Sequence, residues 1–521
     1  MSPSPRPFAT ANDLRAVALL AAGLTIARLV ALFASPLGLY PDEAQYWLWS
    51  RTLDVGYYSK PPMIAWAIWA TTAIGGDAEP WIRLSATAFQ GAATVIVFLI
   101  GRRLYDSATG LAAAALYGLM PGIQLSALVA ATDAPLLFFL GLAVLAYVAL
   151  LGEPDSRRKV PLALGLGVAM GLAFLSKYAA VYGLIGLAVH AAVSPAARRA
   201  WDARTIGAAT LALAAALAPN LAWNAAHGFA TLQHTASNAA WSGVQLFNLA
   251  EAGTFLLSQF GVFGPIPLGV LIAGVGLAVA RKRLAPADLT LLCFTLPPLL
   301  IVTVQAFISR ANANWSGAAY LTGAILAAAW LIRWRARGWL TGALVLQGAV
   351  AAFFLAAVIS PALADKVGLA NGLKRARGWD QTADLILDRA FREPDLSAIA
   401  VNNRFLFYAT AYYGRHRLAE LGVPLTSWLL MDGPRNQAET AAPLTPALGR
   451  RVLMVSYEGW RRREMEADFS RASGVEIGSV RLDRKRKRRI EMFTGEGFAP
   501  RPRDPVTGLP VSAPPARPTQ P

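Results

Sequence analysis

The chain alternates long apolar runs with short polar connections as far as about residue 360, and then changes character. A helix needs about 20 apolar residues to cross about 30 Å of hydrocarbon. Eleven runs read as spans, near 14–34, 84–101, 109–123, 133–151, 160–176, 178–194, 205–222, 252–280, 288–309, 315–333 and 339–360. The apolar segment 61–75 is short and opens on Lys60-Pro61-Pro62, so it reads as a helix lying at the interface or re-entering. Counted as a span, it would invert everything after it. Beyond 361 the period shortens. LSAIAV and RVLMVSY predict buried strands, NRFLFYATAYYG and EGWRRREMEADFSRA amphipathic helices, and VEIGSVRL with RIEMFTGEGF a hairpin around Arg484–Arg489. The expected fold is an α-helical polytopic membrane domain of about eleven spans over 1–360, with a first outer loop at about 35–83. A small soluble α/β domain over 361–499 and a Pro-rich, disordered tail over 500–521 follow.

Composition turns this pattern into an exclusion. Of 521 residues 55% are hydrophobic and 15% charged, against about 25% charged in soluble domains. That is too little charge to cover a soluble enzyme of this size. The net charge of +17 is divided: residues 1–364 carry 22 Lys/Arg and 13 Asp/Glu, and residues 365–521 carry 26 and 18. With the N-terminus inside, alternate connections are basic, and 16 of the first 22 basic residues fall on one side, from Arg6 and Arg15 to Arg333, Arg335 and Arg337. The positive-inside rule therefore orients the chain and places the C-terminal domain outside the cytoplasm. The first span carries no small-residue cleavage site at the right spacing and reads as a retained helix. The one cysteine, Cys293, excludes an internal disulfide framework. Nucleic acid is a poor partner for a domain outside the cytoplasm, so the run RLDRKRKRRIE reads as a solvated hairpin or as a contact for anionic lipid.

Six basic residues break the rule: Arg28, Arg51, Lys60, Arg83, Lys177 and Arg310. Each alone fits snorkelling to the interface. Together they share a side with LYPDEAQYWLWSRTLDVGYYSKPP, Leu39 to Pro62, where Asp42 and Glu43 follow the first span. Solvated carboxylates and an aromatic belt are the bland account of that stretch.

The stretch resembles the first outer loop of the GT-C superfamily of integral-membrane glycosyltransferases. Its bacterial members are related to the dolichyl-phosphate-mannose protein mannosyltransferases and the lipid A aminoarabinose transferases. The resemblance rests on Asp42-Glu43, the Y-x-x-K-P-P element from Tyr57 to Pro62, AATDAPLLFF, GLAFLSKYAAVYGL, WNAAHGFATLQH and NANWSGAAYL, and it covers about 14–335. It implies an inverting transfer from a polyprenyl (undecaprenyl) monophosphate donor to a hydroxyl of a lipid or glycan such as lipopolysaccharide, at the periplasmic face of the bacterial inner membrane. A protein hydroxyl is the alternative acceptor. Asp42 would be the base that takes the acceptor proton; Glu43 is the other choice, or fixes Asp42. Lys60 matches the phosphate-contacting lysine, and Lys177 and Arg310 are candidates for the same work. Asp133 would join the site or cap the helix that begins at Ala134-Pro135.

Tyr57, Tyr58, His227 and Trp315 are the remaining substrate-binding candidates. Trp223 and Trp241 are placed to stack on sugars or to join the aromatic belt. His227 and His234, seven apart, would share a helical face, but two histidines without a third ligand more often hydrogen-bond in a loop. No cofactor is required by these residues, and a divalent metal stays open. A lipid-linked-sugar transporter is the rival class, although its paired broken helices are not evident.

Overall fold

The computed structural model describes residues 11–238, 247–431 and 433–504. Trp241, Arg6 and the tail from 505 lie outside the described residues. The chain forms two compact units, one of residues 1–35 with 53–360, the other of residues 36–52 with 361–521.

The first unit is helical. Seven described helices are long and apolar enough to cross a membrane, from Ala11–Phe33 to Arg337–Ile359, and nine spans result if two bent pairs are each counted once. The count of eleven is not reached on that criterion. The segment expected at 109–123 is Ser107–Leu119 followed by Pro121–Leu128, bent by 59°. Pro121 lacks the N–H that would continue the ladder. The segment expected at 252–280 is Leu249–Phe263 and Pro265–Arg281, bent by 116°. Gly264, at φ +100°, supplies a turn that other residues resist, and Pro265 follows it. Met63–Gly75 has 13 residues, about 20 Å at 1.5 Å each, too short to span.

Helix Ala319–Arg333 is also short, with 15 residues, but Ala319 through Leu331 are all buried. It is the centre of the bundle, surrounded by Val97, Ile100, Leu140, Val144, Leu271 and Phe294. Helix Ser156–Ser176 packs on Ala203–Ala226 through Gly167 and Gly171, which meet Ala212 and Ala216. Small residues allow this close approach where lipid offers no hydrophobic drive.

Two polar clusters fix helix ends and breaks in this unit. Asp288 accepts from Tyr105 Oη (2.6 Å), Trp330 Nε1 (3.0 Å) and both Nη atoms of Arg333 (2.5 and 2.9 Å), which ties three helix ends together. Arg28 does not extend outward from the bundle: it is buried, and donates to Gln124 Oε1 (3.2 Å) and the Gly118 carbonyl (2.6 Å). Gln124 Nε2 donates to the same carbonyl. That carbonyl lies just before the break at Pro121, so Arg28 and Gln124 satisfy backbone that the break exposes.

Among the described residues the second unit holds a six-stranded sheet together with helices. β1 (Ala398–Val401), β2 (Leu425–Ser427), β3 (Arg451–Ser456), β4 (Phe469–Ala472), β5 (Glu476–Arg481) and β6 (Lys487–Phe498) run β2-β1-β3-β6-β4, with β5 also on β6. The first three are parallel and the rest antiparallel. The expected strands, the helix Arg404–Tyr413 and the hairpin β5–β6 are present. EGWRRREMEADFSRA is not one helix. Arg462–Glu466 is a single short helix and Phe469–Ala472 is a strand, because Phe469 packs on Phe493 and Phe498 of β6.

Asp288→Ala is expected to leave Tyr105, Trp330 and Arg333 without their acceptor, at a cost of about 2 kcal/mol or more. Thermal melting of the detergent-purified protein measures this; an unchanged midpoint would remove the cluster from the account of stability.

Candidate functional site

The acidic pair lies in the second unit. Tyr40 is extended and Pro41 opens the helix Pro41–Ser50, a position where its fixed φ fits and its missing N–H costs nothing. The next two residues then point in different directions. Glu43 is wholly buried, and its Oε2 accepts the Tyr40 N–H at 2.9 Å. This is the return half of a capping box, so Glu43 holds the helix start. Asp42, one position earlier, has a side chain 55% exposed, and its Oδ1 accepts from Arg404 Nη1 at 3.0 Å. The same Nη1 donates to Gln45 Oε1 at 2.7 Å. Arg404 lies 362 residues from Asp42, so no local sequence signal could have found it.

The other candidates belong to the helical unit. Asp133 and Lys177 form an ion pair at 2.9 Å, each about one-fifth exposed, and Asn314 Nδ2 donates to the second oxygen of Asp133 at 3.3 Å. Asp133 is therefore not a capping residue: Thr132 occupies the cap position, and the Asp133 side chain reaches across to two other segments. Lys177 ends the helix Ser156–Ser176 in an extended conformation, φ −163° and ψ 135°, which turns its side chain out of the helix. The next residue, Tyr178, donates to Asn220 Oδ1 (3.0 Å) and accepts from Asn224 Nδ2 (3.2 Å). Asn220 Nδ2 in turn donates to the Val55 carbonyl at 2.7 Å. Two asparagines four apart in an apolar run are costly in hydrocarbon, and that was the available sign of this network.

Val55 begins the turn that carries Lys60. Trp223 Nε1 donates to Asp54 Oδ2 (2.8 Å), Tyr57 N–H to the Lys60 carbonyl (3.3 Å), and Thr231 Oγ1 to the Tyr57 carbonyl (2.7 Å). Gly56 lies against the Trp223 indole, where a Cβ would collide. Tyr57 is buried, and its phenol accepts from the Asp54 N–H at 3.0 Å. Burial pushes that phenol up to about 12. Tyr57 thus holds the turn from inside. Tyr58 makes an edge contact with His234, ring centroids 6.0 Å apart.

His227 stacks on Trp223 at 4.0 Å and its Nδ1 donates to the Trp223 carbonyl at 2.8 Å. The helix ends at Ala226 and restarts at Ala230, with Gly228 and Phe229 at positive φ, so His227 and His234 do not share a helical face. Among the described residues no group of three His, Cys, Asp or Glu could hold a metal ion. Arg310 is exposed, in the connection that also carries Asn314. Trp315 packs with Phe255, Val302 and Ala306 in an apolar cluster. The structure thus gathers Asp133, Lys177 and Asn314, and separately knits the turn of Lys60 to Tyr178 through Asn220.

Residues 59–223 match the family described as dolichyl-phosphate-mannose-protein mannosyltransferase. The chain is 38% identical to the lipid A galacturonosyltransferase RgtD of Rhizobium johnstonii over 344 residues, 66% of this chain and 71% of that protein. It is 27% identical over 150 residues to an undecaprenyl phosphate-alpha-4-amino-4-deoxy-L-arabinose arabinosyl transferase of Pseudomonas fluorescens, 26% of this chain and 27% of that one. Its fold is similar to that of ArnT from Cupriavidus metallidurans bound to undecaprenyl phosphate, with TM-score 0.64 and 15% identity, over 91% of this chain and 97% of that one.

The two acidic neighbours should separate by stability. Glu43→Ala is expected to cost about 1 kcal/mol through the lost cap, whereas Asp42→Asn should stay within about 0.5 kcal/mol of the parent. Melting curves of both purified variants check this; equal losses would contradict the division.

Proposed function

The chain belongs to the GT-C superfamily of integral-membrane glycosyltransferases, and we propose that it transfers a sugar from undecaprenyl monophosphate to a hydroxyl of a lipid A-type glycolipid. It is a multi-pass membrane protein and an enzyme. The observation that carries the acceptor class is the 38% identity to a lipid A galacturonosyltransferase over two-thirds of the chain. The proposed site faces the periplasm at the inner membrane, on the side opposite 16 of the first 22 basic residues.

In the proposed reaction the acceptor hydroxyl attacks the anomeric carbon from the face opposite the phosphate. The C1–O bond to phosphate breaks and the configuration inverts. Asp42 takes the hydroxyl proton as the new bond forms. What supports Asp42 over Glu43 is access: one carboxylate is solvent-reachable and held by Arg404, while the other is closed into a helix cap. The phosphate leaves as an anion and needs cations, not a proton. Lys60 and Lys177 are proposed for that role, with Arg310 beside them in type. Lys177 is paired with Asp133, so the arriving phosphate would share or displace that carboxylate. Asp133 and Asn314 then aim the ammonium and are left to accept or donate to sugar hydroxyls.

A second reading keeps this chemistry with a protein hydroxyl as acceptor, and the mannosyltransferase family match over residues 59–223 favours it. Asp42→Asn is expected to lower transfer by about 10²-fold or more while undecaprenyl-phosphate-sugar binding survives. Mass spectrometry of lipid A and of glycoproteins from a deletion strain, complemented with parent or Asp42→Asn, distinguishes the readings. A sugar mass missing from lipid A and restored only by the parent supports the first. The same pattern confined to a protein fraction supports the second. Full restoration by Asp42→Asn would dismiss the base.

A further inference from the structure

The sheet of the second unit has an edge that the transfer reaction does not explain. From β1 the chain goes to β2 on one side, and from β3 it goes on to the antiparallel strands on the other. Between two such parallel strands the connections diverge and leave a crevice beyond their carboxyl ends, where ligands bind in open α/β sheets. Asn402 to Arg404 follow β1, and Tyr457 and Glu458 follow β3. The antiparallel register, with Ser456 opposite Glu491, carries β6 past the end of β3 and brings Arg488 to the same edge.

The chemistry gathered there is cationic. Arg404 and Arg375 lie over the same Phe405 ring, at 4.6 and 6.0 Å from its centroid. Arg488 lies over Trp379 at 3.4 Å and donates to Gly378, Thr382 and Arg377. Among the described residues neither Arg375 nor Arg488 has a carboxylate partner. Burial pushes the Arg488 guanidinium down to about 10. The Tyr457 phenol, pushed up to about 12 by burial, is pulled down by Arg488, Arg404 and Arg375 together. Glu458 is engaged by Asn403 (2.8 Å) and Arg461 (3.9 Å), and Asp380 acts on Arg488 from the first turn of its helix. The side-chain amide of Asn402 is buried at the same edge, with neither its oxygen nor its nitrogen hydrogen-bonded. Buried polar atoms are seldom left unpaired without a purpose.

We propose that this edge binds a phosphate group of the glycolipid acceptor, with Arg375, Arg404 and Arg488 supplying charge and Asn402 a neutral donor. Arg375, Arg404 and Arg488, with Arg461 beside Glu458, outnumber the carboxylates Asp42, Glu458 and Asp380 at this edge, and several guanidinium donors suit the oxygens of a phosphomonoester better than a single carboxylate. Arg404 touches both the proposed base and this edge, so a phosphate held here would bring its parent glycan to Asp42. The inference rests on the reading that a glycolipid is the acceptor.

The test uses the full chain in phosphatidylcholine nanodiscs and measures binding, not turnover. The probes are bisphosphorylated lipid A, the same lipid dephosphorylated, and undecaprenyl phosphate. The parent is expected to prefer the phosphorylated lipid A by about tenfold, about 1.4 kcal/mol, and Arg375→Ala and Asn402→Ala should each erase that preference. Asn402→Ala should melt no lower than the parent, because it removes an unpaired amide, which separates a ligand role from a structural one. A preference that survives both variants overturns the site. A loss confined to undecaprenyl phosphate overturns the assignment to the acceptor. Sugar transfer to lipid A is assayed separately: its absence with the preference intact would refute the acceptor reading and leave the phosphate site standing.

Discussion

Asp133 and Lys177 could not both remain at the end of so apolar a bundle unless each neutralised the other. A carboxylate or an ammonium taken from water loses several kcal/mol of solvation, and only close pairing returns it. Their 2.9 Å contact, with Asn314 on the second carboxylate oxygen, therefore brings the ends of three separate segments together. The turn of Lys60 is bound in the same manner, through Asp54 to Trp223 and through Val55 to Asn220. Hydrophobic burial sets no register between helices in lipid, since tails and leucines are equally apolar. Directional polar contacts do. The opposite end of the bundle follows the same rule, with Asp288 as the shared acceptor for Tyr105, Trp330 and Arg333.

The same constraint sorts the charged residues into different kinds of work. Arg28 is spent on the Gly118 carbonyl at a helix break. Lys177 is spent on Asp133, with both side chains still partly exposed. Asp42 and Glu43 show the sorting at its shortest range. Successive residues on a helix point about 100° apart, so one carboxylate turns back to the cap and the other turns outward to Arg404. The proposed base and the carboxylate that caps its helix are thus consecutive residues with different surroundings.

In the α/β unit the parallel strands do what they do in soluble folds. Their carboxyl ends present loop residues with a helix start beside them, and the antiparallel return of β6 adds a guanidinium from a distant part of the chain. Arg375, Arg404 and Arg488 are scattered over more than a hundred residues, and only the sheet makes them neighbours.

Hydropathy by itself determined that this chain is a multi-pass helical membrane protein with a small α/β portion, because crossing hydrocarbon demands a length and an apolarity that no other fold imitates. The ordered motifs around Asp42, Lys60, Asp133, Lys177 and Asn314 determined the family. Other features belong to the tertiary structure alone. The breaks at Pro121 and Gly264 interrupt runs whose average hydropathy does not register a bend. The strand at Phe469 lies in a sequence of helical appearance and is decided by Phe493 and Phe498. The grouping of residues 36–52 with residues 361–521, and with it the Arg404 contact to Asp42, depends on packing between segments some 360 residues apart. Local pattern reports what each segment prefers; which polar group answers which across the chain is settled only when all the segments are in place.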